Sequence, residues 1–189
     1  MKKVLFAAVA LGVAASAGTA AAQSPIPFSV GGRADYVIPT GDFKDVAENG
    51  VSFGASASVG VARGLGVYGS YDYATFGSTT NEDADAVDKG FSAGITAAIP
   101  TGSARVRPYI GGGAVFHQLE VDGSDQGIDS KTGFELGGGL AFDVAPGLVL
   151  SPSVGYRRYE AKLPVALGLA ESSLNVEYFS AGVGLSIAF

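Results

Sequence analysis

The sequence has 189 residues, a formal net charge of -6, a single histidine and no cysteine. This acidic balance argues against nucleic acid as a partner, because phosphate binding needs a basic patch. The absence of thiols excludes disulfides and any cysteine-based metal site. The length suits one domain, and no linker or shift in composition divides it.

The first residues have the order of a secretory signal peptide. A basic start, Lys2 and Lys3, precedes an apolar Ala/Val/Leu stretch that ends in small residues up to Ala22. Small residues before the cut suit the signal peptidase. We expect residues 1–22 to be cleaved and residues 23–189 to form the mature domain. The alternative, a retained membrane anchor, is disfavoured because the run lacks a basic stop-transfer flank.

After this segment, no apolar run approaches the ~20 residues that a membrane helix needs. Apolar residues instead recur at every second position over segments of about ten residues, the length with which a tilted strand crosses a bilayer. The pattern predicts eight strands. They are Phe28–Ile38, Val51–Ala62, Gly66–Phe76, Gly90–Ile99, Val106–His117, Gly133–Val144, Leu148–Tyr159 and Leu174–Phe189.

The segments between these strands alternate in length. Four are long and polar: PTGDFKDVAENG, GSTTNEDADAVDK, the stretch around VDGSDQGIDSKT and residues 160–173. Three are short: RGLG, PTGSAR and APG. This alternation is typical of barrels with periplasmic turns and extracellular loops. The sequence therefore predicts an all-β fold, an eight-stranded antiparallel up-and-down transmembrane β-barrel.

Alternation alone does not distinguish a membrane barrel from a lipocalin-like barrel with an apolar interior, so the aromatic residues decide. Each strand has one aromatic residue near its long-loop end, on the same face as the aliphatic residues of that strand. Phe91, for example, shares its face with Ile95 and Ile99. Together these residues form a belt at one level of the barrel, which is typical of the aromatic girdle at a membrane interface. The predicted aromatic girdle is Tyr36, Phe53, Tyr73, Phe91, Phe116, Phe134, Tyr156 and Phe179.

The opposite face of the strands is small and polar, but it also carries charges of both signs. Eight strands leave an interior just wide enough for side chains to fill. We expect these charges to pair inside, because unpaired buried charges are costly. The alternative is that some of them lie near the rim in water. The predicted lumen charge network is Arg33, Asp35, Asp72, Arg107, Glu135, Asp143 and Arg157.

Three stretches, RADYVIPTGDF, RPYIGGGAVF and VEYFSAGVGLSIAF, resemble the small outer-membrane β-barrel family. This family includes the OmpX-like and opacity-type proteins and, more distantly, the OmpA membrane domain and the OmpW-like barrels. The resemblance implies a cell outer-membrane location, contact with outer-membrane lipids and lipopolysaccharide, and an assembly signal at Phe189 that the barrel-assembly machinery reads. Ile187 stands where the family usually has an aromatic residue. We expect a monomer.

The only histidine, His117, is predicted to point inward at the rim. Some similar barrels are lipid A-modifying hydrolases with His and Ser at neighbouring positions, but Gln118-Leu119 follow here.

Gly50–Gly54 matches G-x-S-x-G, which in hydrolases needs a sharp turn before a helix. It lies where a loop enters a strand, so we expect a chance match. The triple glycines at 111–113 and 137–139 lack a phosphate-binding context and are expected to serve packing.

Two predicted loops are acidic. We expect these carboxylates to be solvated, with Ca²⁺ or Mg²⁺ binding as the alternative. They are Glu82, Asp83, Asp85 and Asp88 in the second long loop, and Asp122, Asp125 and Asp129 in the third. Arg158 is predicted to face outward above the girdle, where it meets lipopolysaccharide phosphates or is a simple surface charge. No catalytic residue, cofactor or metal site is predicted.

These features favour a non-enzymatic envelope protein that displays acidic extracellular loops for surface interaction or envelope integrity. A narrow channel, or a lateral path for small hydrophobic molecules, is the alternative, because much of the inner face is Gly, Ser and Ala. A lipid A-modifying enzyme that uses His117 is the third hypothesis.

Overall fold

The computed structural model describes residues 27–78, 86–101, 103, 105–121, 132–163 and 172–189. Eight strands and one short 3₁₀ helix make up the fold. The strands are β1 Phe28–Thr40, β2 Ala47–Ala62, β3 Leu65–Ser78, β4 Ala86–Ala98, β5 Val106–Val121, β6 Gly133–Ala145, β7 Leu148–Leu163 and β8 Ser172–Ala188. The 3₁₀ helix, Gly41–Asp45, is called the loop helix below.

Each strand pairs antiparallel with its neighbours in chain order, and β8 closes the barrel on β1. The closing register runs from Ser29 opposite Ala188 to Thr40 opposite Glu177. Closure gives every strand a hydrogen-bonded neighbour on both sides, so no strand is left as a sheet edge along its whole length. The predicted eight-stranded up-and-down barrel is thereby confirmed.

No helix in the described ranges is long and apolar enough to span a membrane.

The strands extend further toward the long loops than the sequence pattern predicts. β2 begins at Ala47, β5 reaches Val121 and β7 reaches Leu163. Polar residues such as Glu120 and Glu160 interrupt the apolar alternation there, although the backbone pairing continues. The alternation of apolar residues therefore predicts only the part of a strand that has an apolar outer face. The hydrogen-bonded strand extends beyond that part.

Two of the short connections are tight turns that contain a glycine with positive φ. Gly64 joins β2 to β3 with φ of 76°, and Gly147 joins β6 to β7 with φ of 73°. Glycine adopts this backbone conformation without the steric cost that a Cβ atom adds. The long segment between β1 and β2 differs from its predicted form as a loop, since it contains the loop helix.

The distribution of polarity is the reverse of that in a soluble barrel. Large apolar side chains point outward and stay exposed, including Phe91 at 63%, Ile95 at 59% and Val154 at 64%. Charged side chains such as Asp72 and Arg157 are buried inside. A soluble barrel would hide the first set and expose the second. The outer face is thus suited to hydrocarbon.

Candidate functional site

The barrel interior has three layers along its axis. An apolar plug lies at the long-loop end, a charge network lies below it, and a polar cavity lies toward the short turns. Each layer is built from the inward residues of several strands, because alternate side chains of a strand face the lumen.

The apolar plug fills the mouth at the long-loop end. Its centre is Phe43 of the loop helix, which is 1% exposed and packs edge-on against Phe76 with ring centroids 5.0 Å apart. Phe76 in turn packs on Tyr178 at 5.3 Å. Such aromatic pairs add to the stability that burial of their area gives. The plug comprises Val37, Phe43, Ala47, Ala74, Phe76, Val115, Leu119, Tyr159, Ala161, Val176 and Tyr178.

Arg157 of β7 is the centre of the charge network. Its Nη2 donates to Glu135 at 2.6 Å and to Asp72 at 2.9 Å, while its Nε donates to Glu135 at 3.1 Å. Its Nη1 donates to the Tyr178 hydroxyl at 2.9 Å and lies 3.4 Å from His117 Nε2. Each of the five N–H groups of the guanidinium therefore has an acceptor. These hydrogen bonds offset the cost of removing the Arg157 guanidinium from water, since its side chain is only 6% exposed.

A second centre, one step nearer the plug, is the Asp88 carboxylate of β4. Asp88 accepts hydrogen bonds from His117 Nδ1 at 2.8 Å, the Tyr178 hydroxyl at 2.7 Å and the Tyr159 hydroxyl at 3.0 Å. Because a carboxylate accepts and does not donate, this contact assigns the imidazole proton to Nδ1. The lone pair on Nε2 is then free to accept from Arg157, and the two centres form one network.

The lower part of the network is organised by Arg33 of β1. Its Nη2 donates to Asp72 at 2.8 Å, and its Nε lies 3.5 Å from Asp35. Gly54 of β2 makes room for this pair, since a Cβ atom there would overlap Asp72 and contact Arg33. A glycine where another group approaches closely is a recognised use of this residue in strands.

The network holds four carboxylates but only two arginines, and neutral donors stabilise the excess. The Tyr68 hydroxyl donates to Glu135 at 2.5 Å, and Ser70 donates to Asp72 at 3.1 Å. Ser92 donates to Glu135 at 3.3 Å. Hydrogen bonds from neutral donors favour the charged form of a carboxylate, so they replace part of the missing positive charge.

The structure brings together five of the seven residues in the predicted lumen charge network: Arg33, Asp35, Asp72, Glu135 and Arg157. Arg107 and Asp143 do not join them. They form their own ion pair at the short-turn end, with side chains 44% and 35% exposed. At that end water solvates both groups, so nothing drives them into the lumen.

Two other expectations need correction. His117 is predicted to point inward at the rim; it does point inward, but it is 2% exposed and lies within the buried network. Asp88 was assigned to an acidic loop, but it lies in β4 and is fully buried. Its position could have been found from parity, because Asp88 shares a face with Gly90 and Ser92, which are inward residues of the same strand. The other acidic residues of that prediction, Glu82, Asp83, Asp85, Asp122, Asp125 and Asp129, lie outside the described residues.

A polar cavity of about 290 Å³ lies between the network and the short turns. Many hydroxyl groups line its wall, and one pair, Ser29 and Ser58, is hydrogen-bonded at 2.7 Å. Arg33, Asp35 and Glu135 form its inner end. The serines and threonine that line it are Ser29, Ser52, Ser56, Ser58, Ser70, Thr96, Ser151, Ser153, Ser180 and Ser186.

The residues of the predicted aromatic girdle all lie on the outer face. Seven are 42% to 63% exposed, and Tyr156 is half-buried. Two cross-strand ion pairs lie just beyond them, Lys89 with Glu120 at 2.6 Å and Arg158 with Glu177 at 3.3 Å. At the other end Phe189 stacks on Phe28 with centroids 6.0 Å apart. The girdle and the assembly role of Phe189 stay predictions.

The remaining sequence motifs have no catalytic setting. Gly50–Gly54 lies within the continuous strand β2, without the sharp turn and helix that a nucleophilic serine needs. The glycines of β5 and β6 lie opposite each other, Gly111 against Gly137, within the barrel wall. Across the described ranges, no three His, Asp or Glu side chains are placed to hold a metal ion.

Comparison with known proteins gives the family. The model of the outer membrane protein beta-barrel domain matches residues 6–187. No curated protein matches the sequence.

Three solved structures show the same fold. Neisserial surface protein A is 20% identical with a TM-score of 0.62, over 86% of this chain and 97% of that one. OprG of Pseudomonas aeruginosa is 14% identical with a TM-score of 0.56, over 85% and 95%. Ail of Yersinia pestis is 20% identical with a TM-score of 0.54, over 87% and 100%. With the family match over nearly the whole chain, the protein belongs to the outer-membrane β-barrel domain family.

Proposed function

We propose that this protein is a non-enzymatic outer-membrane anchor with a closed lumen, which holds its long loops outside the cell for surface interaction and envelope integrity. The observation that carries the proposal is the filled interior. The plug and the charge network lie in series, and Phe43, Phe76, Asp72 and Asp88 are at most 1% exposed. A lumen filled in this way over the described strands supports an anchor rather than an open pore, so we place its function at the loops.

The burial of His117 supports a non-enzymatic role. A lipid A-modifying enzyme needs its catalytic base within hydrogen-bond reach of the lipid substrate. The two ring nitrogens of His117 instead bond Asp88 and Arg157, inside the wall and below the plug. Its partners are those of a structural group that completes a buried network.

The orientation of the loops can be tested with single cysteines, because the chain has none. Val46, next to the loop helix, is 44% exposed, and Arg63 is exposed in the turn between β2 and β3. We expect a bulky membrane-impermeant maleimide to label Val46→Cys on intact cells. Arg63→Cys should react only after the outer membrane is permeabilised. In detergent both variants should react, which controls for the reactivity of each thiol. Labelling of Arg63→Cys alone on intact cells would reverse the proposed orientation.

Transport is the second candidate, and the polar cavity of about 290 Å³ favours it. A cavity with so many hydroxyl groups suits water or a small polar solute. The closed-lumen proposal predicts that purified protein gives no discrete conductance steps in a planar bilayer. Reproducible steps that change in Arg33→Ala or Arg157→Ala would favour the channel instead, since both residues belong to the network that closes the lumen.

A further inference from the structure

The charge network carries more negative than positive charge at the end that meets the polar cavity. Three of its carboxylates pair directly with the network arginines: Asp35, Asp72 and Glu135. Those arginines are two, Arg33 and Arg157. The fourth carboxylate lies at the other centre, where three neutral donors bond it. One negative charge beside the cavity therefore lacks a cation, and an uncompensated charge away from bulk water is costly.

This excess charge is least compensated at Asp35. The neutral donors of the lower network all bond Glu135 or Asp72. In the described part of the chain the partner of Asp35 is Arg33 Nε at 3.5 Å, well beyond the length of a charge-assisted hydrogen bond, about 2.7–2.9 Å. The Asp35 side chain is nevertheless only 4% exposed. Its carboxylate is thus withdrawn from bulk water without a close cation.

The neighbours of Asp35 leave its carboxylate facing the cavity. Gly182 lies opposite it on β8, and a Cβ atom there would overlap Asp35 Oδ1. Ser52 lies opposite it on β2, and Asp35 and Ser52 both line the cavity. The glycine therefore provides the space that the carboxylate occupies, and hydroxyl oxygens share the same cavity wall.

We propose that the polar cavity binds one monovalent alkali cation, held by the Asp35 carboxylate together with hydroxyl oxygens of the wall such as that of Ser52. Carboxylate and hydroxyl oxygens are the ligands that hard cations prefer. One excess negative charge matches a monovalent ion, whereas a divalent ion would leave a positive excess. The volume of about 290 Å³ has room for such an ion with part of its water shell.

The proposed cation site is separate from the anchor role and from conduction. The cavity lies on the short-turn side of the charge network, so an ion reaches it from that side while the apolar plug stays in place. Binding therefore needs no open lumen, and the conductance measurement described above neither supports nor excludes it. The bound ion acts as a counter-ion that stabilises the folded barrel.

The linewidth of the sodium NMR signal tests the site directly, because a bound Na⁺ ion broadens it. The protein is folded in a zwitterionic detergent, and its fold is checked by the change in gel mobility on boiling. We expect the wild type to give a saturable broadening that K⁺ reverses. Asp35→Asn keeps the size of the side chain but removes its charge, so it should weaken Na⁺ binding about tenfold or more, as loss of a charged partner does.

Asp143→Asn is the matched control, since it also removes one carboxylate, but from an ion pair at the short-turn end that is 35% exposed on its side. It should bind Na⁺ as the wild type does. Equal weakening in Asp35→Asn and Asp143→Asn, or wild-type binding in both, would overturn the proposal.

Stability in urea gives a second measure that does not depend on any variant. A ligand that binds only the folded state raises the free energy of unfolding. At constant ionic strength, NaCl in place of tetraethylammonium chloride should raise the urea midpoint of the wild type, because the alkyl shell of the larger cation cannot use oxygen ligands. The midpoint of Asp35→Asn should not change. A wild-type midpoint that is the same in both salts would mean that a proton neutralises Asp35, and the proposal would fail.

Discussion

Replacement of Arg157 by alanine is expected to lower the free energy of unfolding by about 3–5 kcal/mol, the usual cost of removing one partner from a buried ion pair. The guanidinium neutralises Asp72 and Glu135 and also bonds Tyr178. Without it, Glu135 remains buried without its arginine partner, and Asp72 keeps only Arg33. The change should be measured by urea titration of the folded protein in lipid vesicles, followed by gel mobility.

Arg107→Ala is the matched control for this prediction. Arg107 also pairs with an aspartate across two strands, but its side chain is 44% exposed. Loss of such a pair should cost less than about 1 kcal/mol, because water replaces the partner. Arg157→Lys should fall between the two, since an ammonium has three donors where the network uses five. Equal effects of Arg157→Ala and Arg107→Ala would contradict the role assigned to the network.

The strands and their two faces could be predicted from the sequence, because a strand repeats every two residues. In β4 the odd-numbered Phe91 and Ile95 lie on the outer face, and the even-numbered Gly90 and Ser92 lie on the inner face. Parity is local, so it needs no knowledge of the closed barrel. The same parity places Arg33, Asp72, Glu135 and Arg157 on the inner face, but it does not separate the lumen from the solvated end where Arg107 and Asp143 lie.

The partners of those charges could not be predicted in the same way. Asp72 and Arg157 are 85 residues apart and meet only because β3 and β7 face each other across the closed barrel. The plug was missed for a different reason. Phe43 lies in PTGDFKDVAENG, where the alternation stops and the composition resembles a solvated loop. Its burial depends on the width of the mouth, which is a property of the whole sheet.

The outer face leads to the other large effect, at Ile95 in the middle of the outward residues of β4. Ile95→Arg is expected to lower the free energy of unfolding in lipid vesicles by about 2–4 kcal/mol, the cost of an arginine on a barrel's lipid face near the bilayer midplane. Ile95 is 59% exposed on the protein itself. If that face met water, the substitution would change stability by less than about 0.5 kcal/mol. The loss of stability therefore shows whether this outer face contacts hydrocarbon or water. It does not depend on packing within the protein.

Val61→Arg provides the comparison at equal exposure, because Val61 is 58% exposed and lies one residue before the short-turn end of β2. An arginine there reaches the polar headgroups, so its cost should fall to about 0–1 kcal/mol. Burial in the protein is the same for both sites, and only depth in the bilayer differs. If the two variants lost equal stability, the apolar outer face would not be a hydrocarbon contact, and a partner protein would have to cover it instead.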